Sequence, residues 1–130
     1  MTSWRLVIQC PPSGFPPSPN ERLHWAAKAK RNAEWRQLVY IAAFEASIPR
    51  LEKARVSVTF FTSRGALSDF DNLVAKSKPI CDGLTGWSGG HSTLLSGVLV
   101  DDSAVHCERG PVTEVRERGA KRIEILVERL

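Results

Sequence analysis

The chain has 130 residues and a formal net charge of +4, and it is 42% hydrophobic and 25% charged. That length suits one domain, and the composition excludes disordered and collagen-like chains. No stretch resembles a membrane span or a signal peptide, and the three cysteines form neither a disulfide framework nor a CxxC pair, so we expect a cytoplasmic protein with reduced thiols.

The first half of the chain predicts a strand, a helix and a second strand. Alternating apolar residues indicate a strand over Trp4–Gln9, which ends at a proline-rich segment because proline cannot donate to a ladder. Ser18-Pro19-Asn20-Glu21 has the form of a capping box and predicts a long helix from there to about Ser47. Ala54–Phe61 alternates again, with the β-branched and aromatic content of a central strand.

The second half predicts another helix, a loop and a hairpin. The helix runs from Asn72 to about Leu84, with Pro79 either kinking it or starting a new turn. Residues 83–97 hold five of the nine glycines, which predicts a mobile loop. Residues 105–116 and 121–128 predict a closing hairpin. The order β-α-β-α-β-β predicts one α+β domain over residues 1–130, with a small mixed sheet packed against two helices.

The acidic residues fall into two populations along the chain. All five aspartates lie between positions 69 and 102, whereas all nine glutamates lie outside that window. An acidic island in a basic surround suits a site that holds divalent cations beside a surface that attracts phosphates. Short acids also favour loops and helix caps, so a purely structural role is the alternative interpretation.

The first acidic motif is Asp69-Phe70-Asp71-Asn72. In an extended segment residues i and i+2 project to the same side, so both carboxylates converge if the chain is extended through Asp71 and the helix begins near Asn72. In a helix the same two residues point about 200° apart. The alternative is that Ser68 and Asp71 form a capping box in which the helix dipole stabilises the acids.

A second acidic pair, Asp101-Asp102, follows an apolar run. Adjacent like charges repel, and such a pair is tolerated where one carboxylate binds a cation that the other orients. The metal-binding member of this pair, together with Asp69 and Asp71, would give three carboxylate ligands from two separated segments. An open, oxygen-rich site of this kind suits Mg²⁺.

These motifs resemble those of the RusA family of Holliday junction resolvases, which are often phage-derived. The resemblance covers nearly the whole chain and rests on Asp69-Phe70-Asp71-Asn72-Leu73, Cys81-Asp82-Gly83-Leu84, Val100-Asp101-Asp102-Ser103-Ala104-Val105, Pro11-Pro12-Ser13 with Asn20, and the residues around Pro111. It implies a RusA-like fold in which Asp69, Asp71 and Asp102 hold Mg²⁺. Asp101 would be a supporting ligand.

The chain departs from the family pattern at the expected lysine, where it has Ala75. Lys78 lies one turn further on about the same face and Lys76 on a neighbouring face, so either could stabilise charge on the phosphate, with Lys78 favoured. The arginine-rich run that often precedes the motif is reduced to Arg64. Asp82, four residues after Lys78, is expected to pair with it rather than to bind metal.

Basic and aromatic residues elsewhere predict DNA contacts. Lys28, Arg31 and Trp35 share a helix face, which indicates a phosphate-contacting surface or, alternatively, a solvated stripe over the core. Trp35 or Trp87 could stack on an unpaired base, with core packing favoured for Trp35 and exposure for Trp87. The predicted DNA-binding residues are Lys28, Arg31, Arg64, Asn20 and Trp87. The three histidines, His24, His91 and His106, are not in ligand spacing.

The resemblance implies a homodimer that resolves four-way junctions by paired symmetric nicks, in DNA recombination and repair. The cofactor would be Mg²⁺, with Mn²⁺ able to substitute, and neither an organic cofactor nor a membrane is expected. Two alternatives stay open. One is a nuclease of looser specificity for flaps or other branched DNA, and the other is a non-catalytic DNA-binding phage protein on the same scaffold.

Overall fold

The structure, a computed structural model, describes residues 2–19, 21–63, 70–87, 95–100 and 103–130. Its helices are α1 (Trp25–Glu45) and α2 (Phe70–Thr85). Its strands are β1 (Ser3–Gln9), β2 (Ala54–Thr62), β3 (Gly86–Trp87), β4 (Leu95–Ser96), β5 (Cys107–Arg116) and β6 (Lys121–Arg129).

Four strands form one mixed sheet in the order β1-β6-β2-β5. β6 is antiparallel to both of its neighbours, whereas β2 and β5 are parallel. A parallel pair needs a crossover connection, and α2 lies in the one between β2 and β5. Together with the two helices, this sheet confirms the predicted α+β fold class, a single small domain with a mixed sheet.

The alternation of apolar residues buries one face of the sheet under the helices. On this face the apolar side chains of β2 and β6 are at most 2% exposed. These residues are Ala54, Val56, Val58, Phe60, Ile123, Ile125 and Val127. The predicted alternation is therefore confirmed in both strands, and also in β1, where Leu6 and Ile8 are buried.

The predicted closing hairpin is wrong, because β2 lies between β5 and β6. β6 pairs with β2 along its length, and β5 pairs with the other edge of β2. At the turn between β5 and β6, the Glu117 N–H donates to the Thr62 carbonyl at 2.9 Å, which places the end of β2 between the two strands. Two strands with a short connection predict a hairpin, but here β2 takes the position beside β6 and satisfies its backbone groups by pairing with a strand on each edge.

α1 begins later than the predicted capping box. Residues 18–21 form a turn in which the Glu21 N–H donates to the Ser18 carbonyl at 3.1 Å. His24 caps the helix instead, with its Nδ1 accepting the Ala26 N–H at 3.2 Å. The C-terminal end agrees with the prediction, since α1 ends at Glu45, ahead of the proline at position 49.

α2 extends beyond its predicted bounds at both ends. It begins at Phe70 and runs to Thr85, with Pro79 inside the helix rather than at the start of a new turn. The predicted loop over residues 83–97 is wrong at both ends, because residue 83 is helical and β3 pairs with β4. Residues 88–94 lie outside the described residues. No helix in the described ranges has the length and apolar character needed to cross a membrane.

Candidate functional site

Asp71 lies in the first turn of α2 with an exposed side chain. The extended backbone through Asp71 that two converging carboxylates would require is not observed, because the helix has already begun at Phe70. A carboxylate in the first turn is stabilised by the positive end of the helix dipole, as the capping alternative expects. Its exposure also leaves this carboxylate accessible to a cation.

Two adjacent side chains at the start of α2 carry oxygen atoms of the kind that bind Mg²⁺. Asp71 offers a carboxylate, and the adjacent Asn72 offers an amide oxygen, which are both donors that Mg²⁺ accepts. Within the described ranges, no three His, Cys, Asp or Glu side chains lie together as a metal site. The predicted site residues that lie outside those ranges are Asp69, Asp101, Asp102, Asn20 and Arg64.

The described residues that flank the second acidic pair lie at the opposite end of α2 from Asp71. Before the pair, the Leu99 N–H donates to the carbonyl of Leu84, in the last turn of α2, at 3.0 Å. After the pair, the Ser103 carbonyl accepts the Cys107 N–H, at the start of β5, at 2.7 Å. At 1.5 Å of rise per residue, Leu84 is about 20 Å along the helix from Asp71. One chain therefore does not bring these flanking residues to the start of α2.

A cationic depression of about 410 Å³ lies beside the start of α2. Its lining includes Phe15, Glu21, Arg31, Asn72, Lys76 and Lys121. The Nζ atom of Lys76 lies 5.5 Å from the ring centroid of Phe15 and 5.1 Å from that of Phe60. These cation–π contacts orient the ammonium group without neutralising its charge. Among the described lining residues, three cations against one carboxylate form a positive surface that suits a phosphate group.

Arg31 is fixed in the wall of this depression by the chain that follows β1. Its Nη1 donates to Glu21 Oε1 at 2.8 Å and to the Phe15 carbonyl at 3.4 Å. One turn along α1, Trp35 is fully buried, and its Nε1 donates to the Gly14 carbonyl at 2.8 Å. Core packing of Trp35 is therefore confirmed. A guanidinium group has five N–H donors, so the contacts of Arg31 leave donors for a phosphate.

A second depression lies between α1 and α2. Its lining includes Lys28, Asn32, Ala75, Lys78 and Asp82. Lys78 Nζ lies 3.1 Å from Asp82 Oδ1, which confirms the predicted ion pair within α2. Lys28 has no carboxylate partner among the described residues. The two candidate lysines thus line different depressions, and Lys76 lines the one that Asn72 shares.

The described histidines and cysteines have structural roles. His24 caps α1, and His106 Nδ1 lies 2.8 Å from the Glu52 carbonyl oxygen. All three cysteines are free, as expected, and two of them are buried. Burial raises the pKa of the Cys81 thiol to about 11, so this group is protonated at neutral pH and is not a nucleophile.

The segment that contains Trp87 is tied to α1. Arg36 Nε donates to the Gly86 carbonyl at 2.8 Å, and the backbone of Trp87 pairs with Leu95 in β3 and β4. The side chain of Trp87 lies outside what the structure describes, so its predicted exposure stays a prediction.

Sequence reasoning missed two residues on this side of the molecule. Lys121 reaches the depression because its carbonyl accepts the Cys10 N–H at 2.9 Å, which joins the start of β6 to the end of β1. No local pattern marks that long-range contact. Trp25 is 75% exposed at the first position of α1, in a segment rich in Lys and Arg. That basic context is the sequence signal that could have identified it.

Comparison with known proteins gives one distant relative. No protein-family model matches the sequence. An uncharacterized protein of Xylella fastidiosa (strain Temecula1) is 28% identical over 102 residues, which cover 74% of this chain and 67% of that protein. Its description assigns no activity, and neither comparison bears on the RusA resemblance.

Proposed function

We propose that the chain is a Mg²⁺-dependent endonuclease that hydrolyses phosphodiester bonds in branched DNA, four-way junctions above all. The observation that carries this proposal is the cationic depression lined by Arg31, Lys76 and Lys121. Asn72, at the start of α2, also lines this depression. A DNA phosphate bound there would lie close to the carboxylate of Asp71, the residue that precedes Asn72 in the chain. The resemblance of the acidic motifs to RusA resolvases supports the same function.

The proposed roles divide between carboxylates and cations. Asp69, Asp71 and Asp102 hold the metal, with Asp101 in support. Bound Mg²⁺ would supply Lewis-acid activation of water and stabilise the leaving oxygen of an in-line displacement. Arg31 and Lys121 bind and orient the DNA phosphate, because both charges face the depression. Lys76, oriented by its ring contacts, stabilises the charge that develops on the phosphate.

The proposed active form is a homodimer in the cytoplasm. A two-fold axis places two sites on strands of equal polarity, as paired cutting of a junction requires. It also allows the acidic pair of one copy to meet Asp71 of the other, since the flanks of that pair lie far from Asp71 within one chain. The three free thiols favour a reducing compartment.

The test is cleavage of a synthetic four-way junction and of a matched linear duplex, with and without Mg²⁺. Wild type is compared with Asp71→Asn, since asparagine keeps the shape and can still cap a helix but loses the negative charge that a cation needs. Asp82→Asn is the matched control, because it removes another carboxylate of α2 that pairs with Lys78.

We expect paired, Mg²⁺-dependent nicks at the junction that Asp71→Asn abolishes and Asp82→Asn retains. Both variants should bind the junction as wild type does. Nicking of flaps and other branches at the same rate would support the nuclease but not the resolvase. Junction binding without cleavage in Mg²⁺ or Mn²⁺ would overturn the enzymatic proposal and favour a DNA-binding protein.

A further inference from the structure

The side chain of Trp25 is largely in solvent at the start of α1. It is 75% exposed, and its ring lies 5.4 Å from the ring of His24, centroid to centroid, at an interplanar angle of 35°. Tryptophan has a large apolar ring that is normally buried in a core or an interface. A ring this exposed is therefore available to a flat partner.

The side chains beside Trp25 are cationic or polar. Lys28 lies three residues further on the same helix face, and Asn32 lies one turn beyond it. Both line the depression between α1 and α2 that Lys78 also lines. Arg22 is exposed just before the helix. In the part of the chain that the structure describes, neither Arg22 nor Lys28 is paired with a carboxylate.

We propose that Trp25 stacks on an unpaired base at the branch point of DNA, while Lys28 contacts the neighbouring backbone phosphate. This inference rests on the proposed function and deepens it by assigning a residue that favours branched over linear DNA. Every base has a π face, so stacking needs no particular sequence. In a linear duplex the bases already stack on one another, which leaves none for Trp25.

The exposed ring of Phe44 provides an internal control. It is 76% exposed in the last turn of the same helix, about 28 Å along the axis from Trp25. Its neighbour in sequence is Glu45 rather than a cation, so Phe44 lacks the charge complementarity to DNA that surrounds Trp25.

The test measures binding of the full chain to two fluorescein-labelled DNAs in EDTA, where no cleavage occurs. One is a fork with unpaired thymines at its branch point, and the other is a fully paired linear duplex of equal length. Wild type is compared with Trp25→Ala, Trp25→Phe and Phe44→Ala, after circular dichroism has shown that each variant is folded.

Trp25→Ala should weaken binding to the fork about 5- to 150-fold, which corresponds to the loss of one stacked base. Trp25→Phe should retain most of the affinity, and Phe44→Ala should bind as wild type does. Duplex binding should be unchanged in all three variants. Equal losses on fork and duplex, or none on the fork, would overturn the role of Trp25 while Asp71-dependent cleavage still stood. Failure of wild type to bind either DNA would overturn the proposed function as well.

Discussion

The ammonium group of Lys76 rests on two aromatic rings beside the start of α2, whereas that of Lys78 pairs with Asp82. We predict that Lys76→Gln lowers the single-turnover rate of junction cleavage about 100-fold, the usual effect of losing one group that stabilises transition-state charge. Lys78→Gln should lower it less than about fivefold, because Lys78 lines the other depression and its exposed pair with Asp82 contributes about 1 kcal/mol or less. Single-turnover cleavage at saturating enzyme measures both rates.

Comparing the two variants shows whether helix periodicity or the observed packing identifies the lysine that acts on the phosphate. Periodicity favoured Lys78, since it lies on about the same helix face as Asp71. A larger loss in Lys78→Gln than in Lys76→Gln would contradict the role that the ring contacts give to Lys76. Gel-shift affinity of both variants separates a binding defect from a chemical one.

The buried thiol of Cys81 makes stability depend on pH in the alkaline range. Its folded pKa of about 11 lies above the ordinary 9.0, because burial disfavours the thiolate. The unfolded chain therefore loses this proton first. The stabilisation is fully present below pH 9 and is lost as pH rises towards 11, by about 2 kcal/mol for a shift of this size.

Urea unfolding at pH 8 and pH 10.5 tests this prediction. The free energy of unfolding should fall more between the two pH values in wild type than in Cys81→Ala. The difference between these two losses isolates the Cys81 thiol from the other groups that titrate in the alkaline range. Identical losses would show that Cys81 is not buried as the structure has it.

At the scale of the elements, α1 and α2 approach closely at Gly83. A Cβ atom at this position would lie 2.6 Å from the Arg36 carbonyl oxygen and 2.8 Å from Val39 Cβ, so the helices would have to separate. In an ordinary helix Gly→Ala is stabilising by about 1 kcal/mol. Here we predict that Gly83→Ala lowers the free energy of unfolding by about 1–3 kcal/mol, as overpacking does.

Denaturant unfolding of Gly83→Ala and Ala75→Gly measures this effect in one helix. Ala75→Gly should lower the free energy of unfolding by about 1 kcal/mol through helix propensity alone. Both substitutions should therefore be destabilising, although one adds a methyl group and the other removes one. A more stable Gly83→Ala variant would disprove the close approach.

The elements differ in how far their sequence determines them. Alternation in β2 and β6 predicted both strands and their buried faces, because period-2 burial is a local property. The start of α1 was not local, since Glu21 accepts a hydrogen bond from Arg31 instead of capping a helix at Ser18. The hairpin failed for the same reason. Which strands become neighbours depends on contacts across the whole sheet, and in this sheet β2 lies between β5 and β6.

At the scale of the whole molecule, sequence could give the chemistry of the candidate site but not its assembly. Aspartate spacing and basic composition predicted a metal beside phosphate contacts. Folding decided which cations meet, and it brought Lys121 to Arg31 and Lys76 while placing Lys78 in another depression. Motif spacing along the chain also did not show that the flanks of the acidic pair lie at the end of α2 opposite Asp71.

That separation makes a prediction about the dimer, which a mixture of two inactive chains can test. If each site takes Asp71 from one copy and Asp102 from the other, co-expressed Asp71→Asn and Asp102→Asn chains form heterodimers with one intact site. Half of the dimers would be mixed, so the co-expressed protein should show about a quarter of the wild-type sites and cut single strands rather than pairs.

A site built within one chain gives the opposite result, because every site in the heterodimer would then carry one substitution. If sedimentation demonstrates dimers and the mixture is nevertheless inactive, the shared site is contradicted. Asp71 and Asp102 of one site would then belong to the same chain. Each variant alone is the baseline, and wild type co-expressed with Asp71→Asn controls for subunit exchange. The deciding quantity is the number of nicks per bound junction, which the heterodimer raises above the baseline only if the site is shared between the two copies.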